Sequence, residues 1–328
     1  MKKVFIVILA AAAFAACNKA EVVESAPAAK IAFDNAFVDN STKAATDITL
    51  SNLTDFGVYG TVTKDPNSAL IFNNTQVTNN SGVYTYSPVQ YWIEGAEYTF
   101  SAYAPFTGAK WAFAPADGKD AYNGTLSFNN AEALGEQDLL FASATRTTLG
   151  TLNTTPDAVS FTFSHLLSKV VFKYTNGFTD NNITLNVYDV KINNAAAAGT
   201  IPVAGGAAGV WTGTGDYARS FGKATADPAD ALANGASITT DHFYLIPVER
   251  AYNITFKVDL YQAGVLLDTY EHSVTPTINI EKGKSYSFNA TLTYDNVNPD
   301  ADLYPIVFNV AEVDAWDPAA GGTGVTIE

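Results

Sequence analysis

From residue 30 onward, apolar side chains recur at every second position rather than every third or fourth. Ile31 and Phe33 alternate with polar neighbours, and Phe37 extends the run. Similar runs are Phe56-Gly-Val-Tyr-Gly60, Gly82-Val-Tyr-Thr-Tyr86, Tyr98-Thr-Phe-Ser-Ala-Tyr103, Val159–Phe163 and Lys169–Tyr174. Ile183–Ile192, Tyr252–Tyr261, Val265–Tyr270, Ser285–Tyr294 and Tyr304–Val310 continue the pattern. Successive side chains of a strand point to opposite faces, so a period of two marks strands with one buried face. The runs are rich in Val, Ile, Thr, Tyr and Phe and are punctuated by Gly, Asn, Asp and Pro. Many short strands without intervening helical patterns predict an all-β fold of sandwich or barrel type. Asp117-Gly118 and Asn176-Gly177 read as turn dipeptides. Helix is expected only in short pieces, at Ala131–Leu134 and Pro228–Ala233, the second with Asp227 as N-cap. The Gly/Ala-rich stretch Ala195–Ala208 reads as a loop, and Gly213-Thr-Gly215 as a turn.

A break falls near residue 157, where the Thr/Gly/Asn-rich stretch Thr147–Thr155 meets Pro156-Asp157. It divides the body into residues 30–157 and 158–328, with about as many strand runs on each side. Each part has the size of an ordinary domain. The 47% hydrophobic content supports a sizeable core, and the aromatic richness argues against disorder. The net charge of −15, with no basic run beyond Lys2-Lys3, excludes nucleic acid as a partner. One Cys excludes an intramolecular disulfide, and three His without a Cys pair leave no structural zinc site.

No nucleophile elbow, H-E-x-x-H or phosphate-binding loop is present, so the sequence points to no catalytic residue, cofactor or metal. His165 lies between apolar strand residues and reads as a satisfied core histidine. His242 and His272 read as structural or exposed. Asn296, Asn298, Asp300 and Asp302 alternate like calcium ligands. However, Ala301 stands where an EF-hand needs Gly, and Val307 where it needs Glu, so the stretch reads as an acidic loop.

The first residues have their own logic. Lys2-Lys3 precede an apolar run, Val4–Ala16, too short to span a bilayer. Ala15-Ala16 then lead into Cys17. This is a secretory signal layout over residues 1–16. It resembles a bacterial lipobox, with Phe14 where Leu is usual, and implies lipidation of Cys17. Residues 17–29 read as a flexible tether.

Several segments together resemble the fimbrillin-like (Mfa-like) lipoproteins of Bacteroidales, subunits of type V pili. They are Phe56-Gly-Val-Tyr59, Tyr91-Trp92 leading into Tyr98-Thr-Phe-Ser-Ala-Tyr-Ala-Pro105, and Asp138-Leu-Leu-Phe-Ala142. Phe163-Ser-His-Leu-Leu-Ser-Lys-Val-Val-Phe172, Phe243-Tyr-Leu-Ile-Pro247 and the late strand running to Trp316 continue the likeness. The resemblance implies two transthyretin-like β-sandwich domains in tandem and export to the outer-membrane surface. It implies other fimbrial subunits as partners, an outer-membrane lipid anchor, and a host or bacterial surface ligand. It also implies assembly in which a protease removes an N-terminal stretch with the first strand, and a neighbour's C-terminal strand fills the groove.

On this chain the displaced strand would be Lys30–Asn40, with Ile31, Phe33 and Val38 facing the groove. Lys43 stands where a trypsin-like protease would cut. The family often has Arg there, and the three Arg of this chain, at 146, 219 and 250, lie far downstream. A Lys-cutting protease and no cut at all are both open. The donor would lie in 302–328, with Ile306, Phe308 and Val310 on one face and Trp316 at the end. The bland alternative is that this tail completes its own second domain, as a tip or anchor subunit would require. A rival function is a monomeric surface glycan-binding lipoprotein, with Tyr84, Tyr86, Tyr91, Trp92 and Trp111 stacking on sugar.

Overall fold

A computed structural model describes residues 29–38, 53–107, 110–129, 137–150, 152, 154–222, 231–299 and 306–313. In chain order the first strands are β1 (Phe33–Val38), β2 (Asp55–Lys64), β3 (Asn67–Asn80), β4 (Val83–Tyr86), β5 (Glu97–Ala104), β6 (Trp111–Ala116) and β7 (Asp120–Asn129). Next come β8 (Leu140–Thr147), β9 (Val159–His165), β10 (Ser168–Asn176), β11 (Ile183–Ala204), β12 (Ala207–Ala208), β13 (Thr212–Ser220) and β14 (Ser237–Thr239). The last are β15 (Phe243–Leu245), β16 (Arg250–Ala251), β17 (Ile254–Gln262), β18 (Val265–Val274), β19 (Thr277–Ile278), β20 (Ser285–Leu292) and β21 (Asn309–Val313). The fold is all-β, and no α-helix occurs among the described residues. Ala131–Leu134 lies outside them, as does most of Pro228–Ala233. The end of the latter is extended, with Leu232 bridged to Leu185.

One sheet runs β1-β9-β8-β5-β2-β3-β4. A second runs β14-β10-β20-β21, with β15 also paired to β10. A third runs β18-β17-β11-β7-β6, with β12 and β13 added on β11. The alternation seen in sequence is the alternation of burial. β9 buries Val159, Phe161, Phe163 and His165 and exposes Thr162 and Ser164. β20 buries Tyr286, Phe288, Ala290 and Leu292. β9, the first strand after residue 157, sits between β1 and β8.

Three apolar clusters result. One lies inside the first sheet, around Phe56, Phe72, Phe100 and Phe161. A second lies between β10/β20 and β11/β17, around Phe172, Leu185, Phe256 and Phe288. The third, with Tyr103, Trp111, Phe141, Trp211 and Tyr244, draws on both halves of the chain. β2 is covered on both faces: Phe56 and Val58 point to the first cluster, Tyr59 to the third. Gly60 sits where a Cβ would come within 2.8 Å of the Phe72 ring and 2.9 Å of Phe100, so only glycine fits.

Two local expectations are corrected. Ala195–Ala208 is not a loop: most of it belongs to the 22-residue strand β11, and Ala207–Ala208 forms β12. Ala and Gly have weak intrinsic strand preference, but here tertiary pairing overrides it, with β7 on one side and β13 on the other. The small side chains are what permit the approach, since a Cβ on Gly199 would lie 3.1 Å from Trp211 and from the Thr212 carbonyl. Gly213-Thr-Gly215 likewise lies inside β13 rather than in a turn. Asp117 and Gly118 both have positive φ, 52° and 69°, and make the tight β6–β7 turn read from sequence.

Candidate functional site: the first strand and its slot

The chain enters the first sheet at Ala29. Trp92 N donates to the Ala29 carbonyl and Ile31 N to the Gln90 carbonyl, both at 2.9 Å. Lys30 and Tyr91 thus form an antiparallel bridge. The chain then turns its other side to β9. Val159 N donates to the Ala32 carbonyl at 2.7 Å. From there β1 runs parallel to β9, with Phe33 opposite Val159, Asp34 opposite Ser160, and Val38 opposite Phe163. The register shifts between Asp34 and Phe37. Ser160 Oγ donates to Asp34 Oδ1 at 2.8 Å. Tyr86 OH donates to the Ile31 carbonyl at 2.6 Å. Burial pushes the Tyr86 hydroxyl above its ordinary pKa, against a backbone hydrogen bond with Gln90 that pulls it down, so it stays a proton donor. Residues 29–31 are thus held by residues 90–92 on one flank and residues 32–38 by β9 on the other, so the segment bridges the two.

Ile31 and Phe33 face inward and are buried. The Phe33 ring meets Phe72 at 5.5 Å, Tyr86 at 5.4 Å, Phe161 at 5.8 Å, Phe56 at 6.2 Å and Phe100 at 6.3 Å. Burying each such side chain contributes about 1.5–3 kcal/mol. Without this segment the sheet has an aromatic floor between two rows of unpaired backbone groups, which is a template for strand addition. Sequence alternation located Ile31 and Phe33. It gave no hint of the Tyr86 hydroxyl or of the Gln90–Trp92 wall, because neither carries a local signature. The Val38 side chain, Lys43, Cys17 and Trp316 lie outside what is described, and Lys43 belongs to the stretch between β1 and β2.

At the other end of the chain, β21 pairs antiparallel with β20, from Asn309 opposite Asn289 to Val313 opposite Ser285. Ile306 and Phe308 are buried in the second cluster, and Val310 packs against it half-buried. The Phe308 ring meets Phe172 at 5.6 Å, Phe256 at 6.0 Å, Tyr174 at 6.1 Å and Phe288 at 6.4 Å. Among the described residues, β21 is an edge strand of its sheet.

Residues 42–302 match the sequence model of the fimbrillin-like family. The chain belongs to that family. Among solved structures, a candidate cell adhesion protein from Bacteroides uniformis is similar at 17% identity and a TM-score of 0.49, over 88% of this chain and 98% of that one. Another from Bacteroides ovatus has 19% identity and a TM-score of 0.47, over 88% and 96%. The fimbrial anchor protein Mfa2 from Porphyromonas gingivalis has 11% identity and a TM-score of 0.43, over 91% and 98%. No curated sequence matches. As a fimbrillin-like protein, the chain is a non-enzymatic fimbrial subunit that assembles with other fimbrial subunits at the cell surface.

The other residues singled out serve the fimbrillin-like fold. Trp92 packs edge-on to Tyr98 at 4.7 Å, and Trp111 against Phe128 at 5.7 Å, both buried. Tyr84 and Tyr86 are half-buried against the first cluster, which leaves Tyr91 as the exposed ring of the set. His165 Nδ1 lies 2.7 Å from Asp138 Oδ2, both buried, and ties the end of β9 to the residue pair preceding β8. His272 is stacked on Phe256 at 4.8 Å, and burial pulls its pKa down. Asn296 is occupied by its own turn: its Oδ1 accepts from Thr293 N at 2.8 Å, and its Nδ2 donates to the Thr291 carbonyl at 2.9 Å. Among the described residues, no group of three or more His, Cys, Asp or Glu is placed to hold a metal.

Proposed function

We propose that this protein is a structural subunit of a type V fimbria that assembles by strand exchange. It is exported as an outer-membrane lipoprotein through Cys17. A cut after Lys43 then frees residues up to and including β1, and the C-terminal segment 302–316 of a neighbour fills the slot. Ile306 and Phe308 would take the places of Ile31 and Phe33, Val310 would follow two positions further along the slot, and Trp316 would stand at the end. The observation that carries this reading is the β1 slot: an aromatic floor, hydrogen-bonding walls on both flanks, and an occupant next to the chain start followed by Lys43. The donor must first leave β20, and its edge position means that only one ladder has to open. The assembled fimbria would then present a surface for a host or bacterial ligand.

The burial of Phe308 in its own domain favours a second reading. A subunit that keeps β21 at home accepts a neighbour's strand but donates none, and so ends a polymer as tip or anchor.

Limited trypsinolysis of folded residues 18–328 separates these. Sequencing the new N-terminus, with size exclusion and an unboiled gel, is expected to show a cut after Lys43 followed by heat-sensitive oligomers. A cut chain that stays monomeric but binds a peptide of residues 302–328 moves the assignment to a terminal subunit. Resistance at Lys43 with a lasting monomer overturns the exchange reading.

A further inference from the structure

We infer that the rim around Ala29, formed by Val89, Tyr91, Ile93 and Leu149, is where the body of a second copy of this chain seats during assembly. The incoming strand then runs parallel to β9, as β1 does. This rests on the strand-exchange reading above and adds the direction of exchange and the contact surface.

These four side chains are exposed, Leu149 by 76% and the others by 42–45%. They surround one end of the β1 slot. Trp92 N holds Ala29, Thr148 Oγ1 donates to the Ile93 carbonyl at 2.6 Å, and Gly95 N donates to the Leu149 carbonyl at 2.8 Å. The rim is therefore fixed in place rather than a loose loop tip. Contiguous exposed apolar surface on a soluble domain marks an interaction site. Towards the opposite end of the slot, the Ser81-Gly82 turn leads into Val83, an exposed apolar side chain outside this rim.

Chain direction selects the occupant. A C-terminal donor is preceded by its own body. If it lies in the slot as β1 does, that body arrives at the Ala29 end. Among the described residues, the last buried one of the body before the donor is Val297, and the donor's first is Ile306. The residues between them span at most about 30 Å when fully extended. The neighbour is thus held against the rim and cannot trail at a distance. The full chain carries a net charge of −15 and remains strongly acidic after a cut at Lys43, so two copies approach most easily over an uncharged surface. A cut after Lys43 also removes Cys17 and the tether, so nothing would hold this end of the acceptor to a bilayer.

The test compares cut residues 18–328 carrying Ile93→Asp with Leu149→Asp against wild type, with Val83→Asp as control. Circular dichroism melts confirm folding. Light scattering follows assembly, and anisotropy follows binding of a fluorescent peptide of residues 302–328. The double variant is expected to assemble at least tenfold more slowly, bind the free peptide with unchanged Kd, and leave Val83→Asp behaving as wild type. Assembly of the double variant at the wild-type rate overturns the inference and leaves strand exchange standing. Slowing by Val83→Asp instead overturns it in favour of the opposite strand direction. Vesicle binding by wild type that the double variant loses, with assembly unaffected, makes the rim a membrane contact and overturns it. A wild-type chain that neither assembles nor binds the peptide overturns the exchange reading and this inference together.

Discussion

β1 and β21 are both short strands at sheet edges among the described residues; β1 begins at Phe33 and β21 follows directly on Phe308, and each of these rings is set among several others. They differ in how they are held. Segment 29–38 is held on its two flanks in succession, residues 29–31 by the Gln90–Trp92 wall and residues 32–38 by β9. β21 has a ladder on one side, with β20. Segment 29–38 is thus a wedge whose loss opens a lined slot, while β21 is a flap whose loss uncovers a face. The lesson is that burial alone does not distinguish a strand that can be replaced from one that merely completes a sheet. The number of flanks left unpaired does.

The largest test of that contrast is truncation of the two rings. Phe33→Ala and Phe308→Ala should each destabilise the uncut chain by about 3–5 kcal/mol in chemical denaturation, as buried Phe→Ala changes generally do. After a cut at Lys43 and loss of β1, the Phe33→Ala penalty should vanish while that of Phe308→Ala persists. Equal penalties before and after cutting would show that β1 never leaves. A smaller effect comes from Tyr86→Phe. It removes the bond to the Ile31 carbonyl and should cost about 0.5–1.5 kcal/mol. It should also hasten release of the cut segment, read by the rate at which peptide 302–328 enters. The same change should leave hydrogen exchange in β20 and β21 untouched.

The smallest effect is one of pH. His272 stacks on Phe256, which touches Phe308. Burial lowers its folded pKa against a backbone hydrogen bond with Val297 that raises it. The unfolded chain therefore binds the proton more readily. Stability from this group is present above the unfolded value near 6.5 and is lost as pH falls through it towards the folded value. A melt at pH 5 against pH 7 should show the drop, and His272→Gln should flatten it. An unchanged drop in the variant would assign it elsewhere.

The all-β class was legible because Val159–Phe163, Ile254–Leu260 and Ser285–Leu292 carry their burial in strict alternation. Ala195–Ala208 was not, since its strand state is imposed by β7, β13 and the nearness of Trp211 rather than by its own residues. In the site, Ile31 and Phe33 could be read from their spacing. Their parallel partner could not: Asp34 meets Ser160, 126 residues downstream, and nothing local encodes so distant a register. The rim of Val89, Tyr91, Ile93 and Leu149 was equally hidden, because it is assembled from two loops and only the fold brings them together.

β11 belongs to residues 158–328 but pairs with strands from both parts of the chain, and its 22 residues, with two register shifts along the way, extend about 70 Å at an ordinary rise. Its first part is laced to β17 and its last to β7. Tension applied along its axis would load those ladders in shear, many bonds at once, rather than peel them one after another. In a filament tugged by flow, the two halves of each subunit would then part last, and the joints between subunits would decide where the fibre breaks.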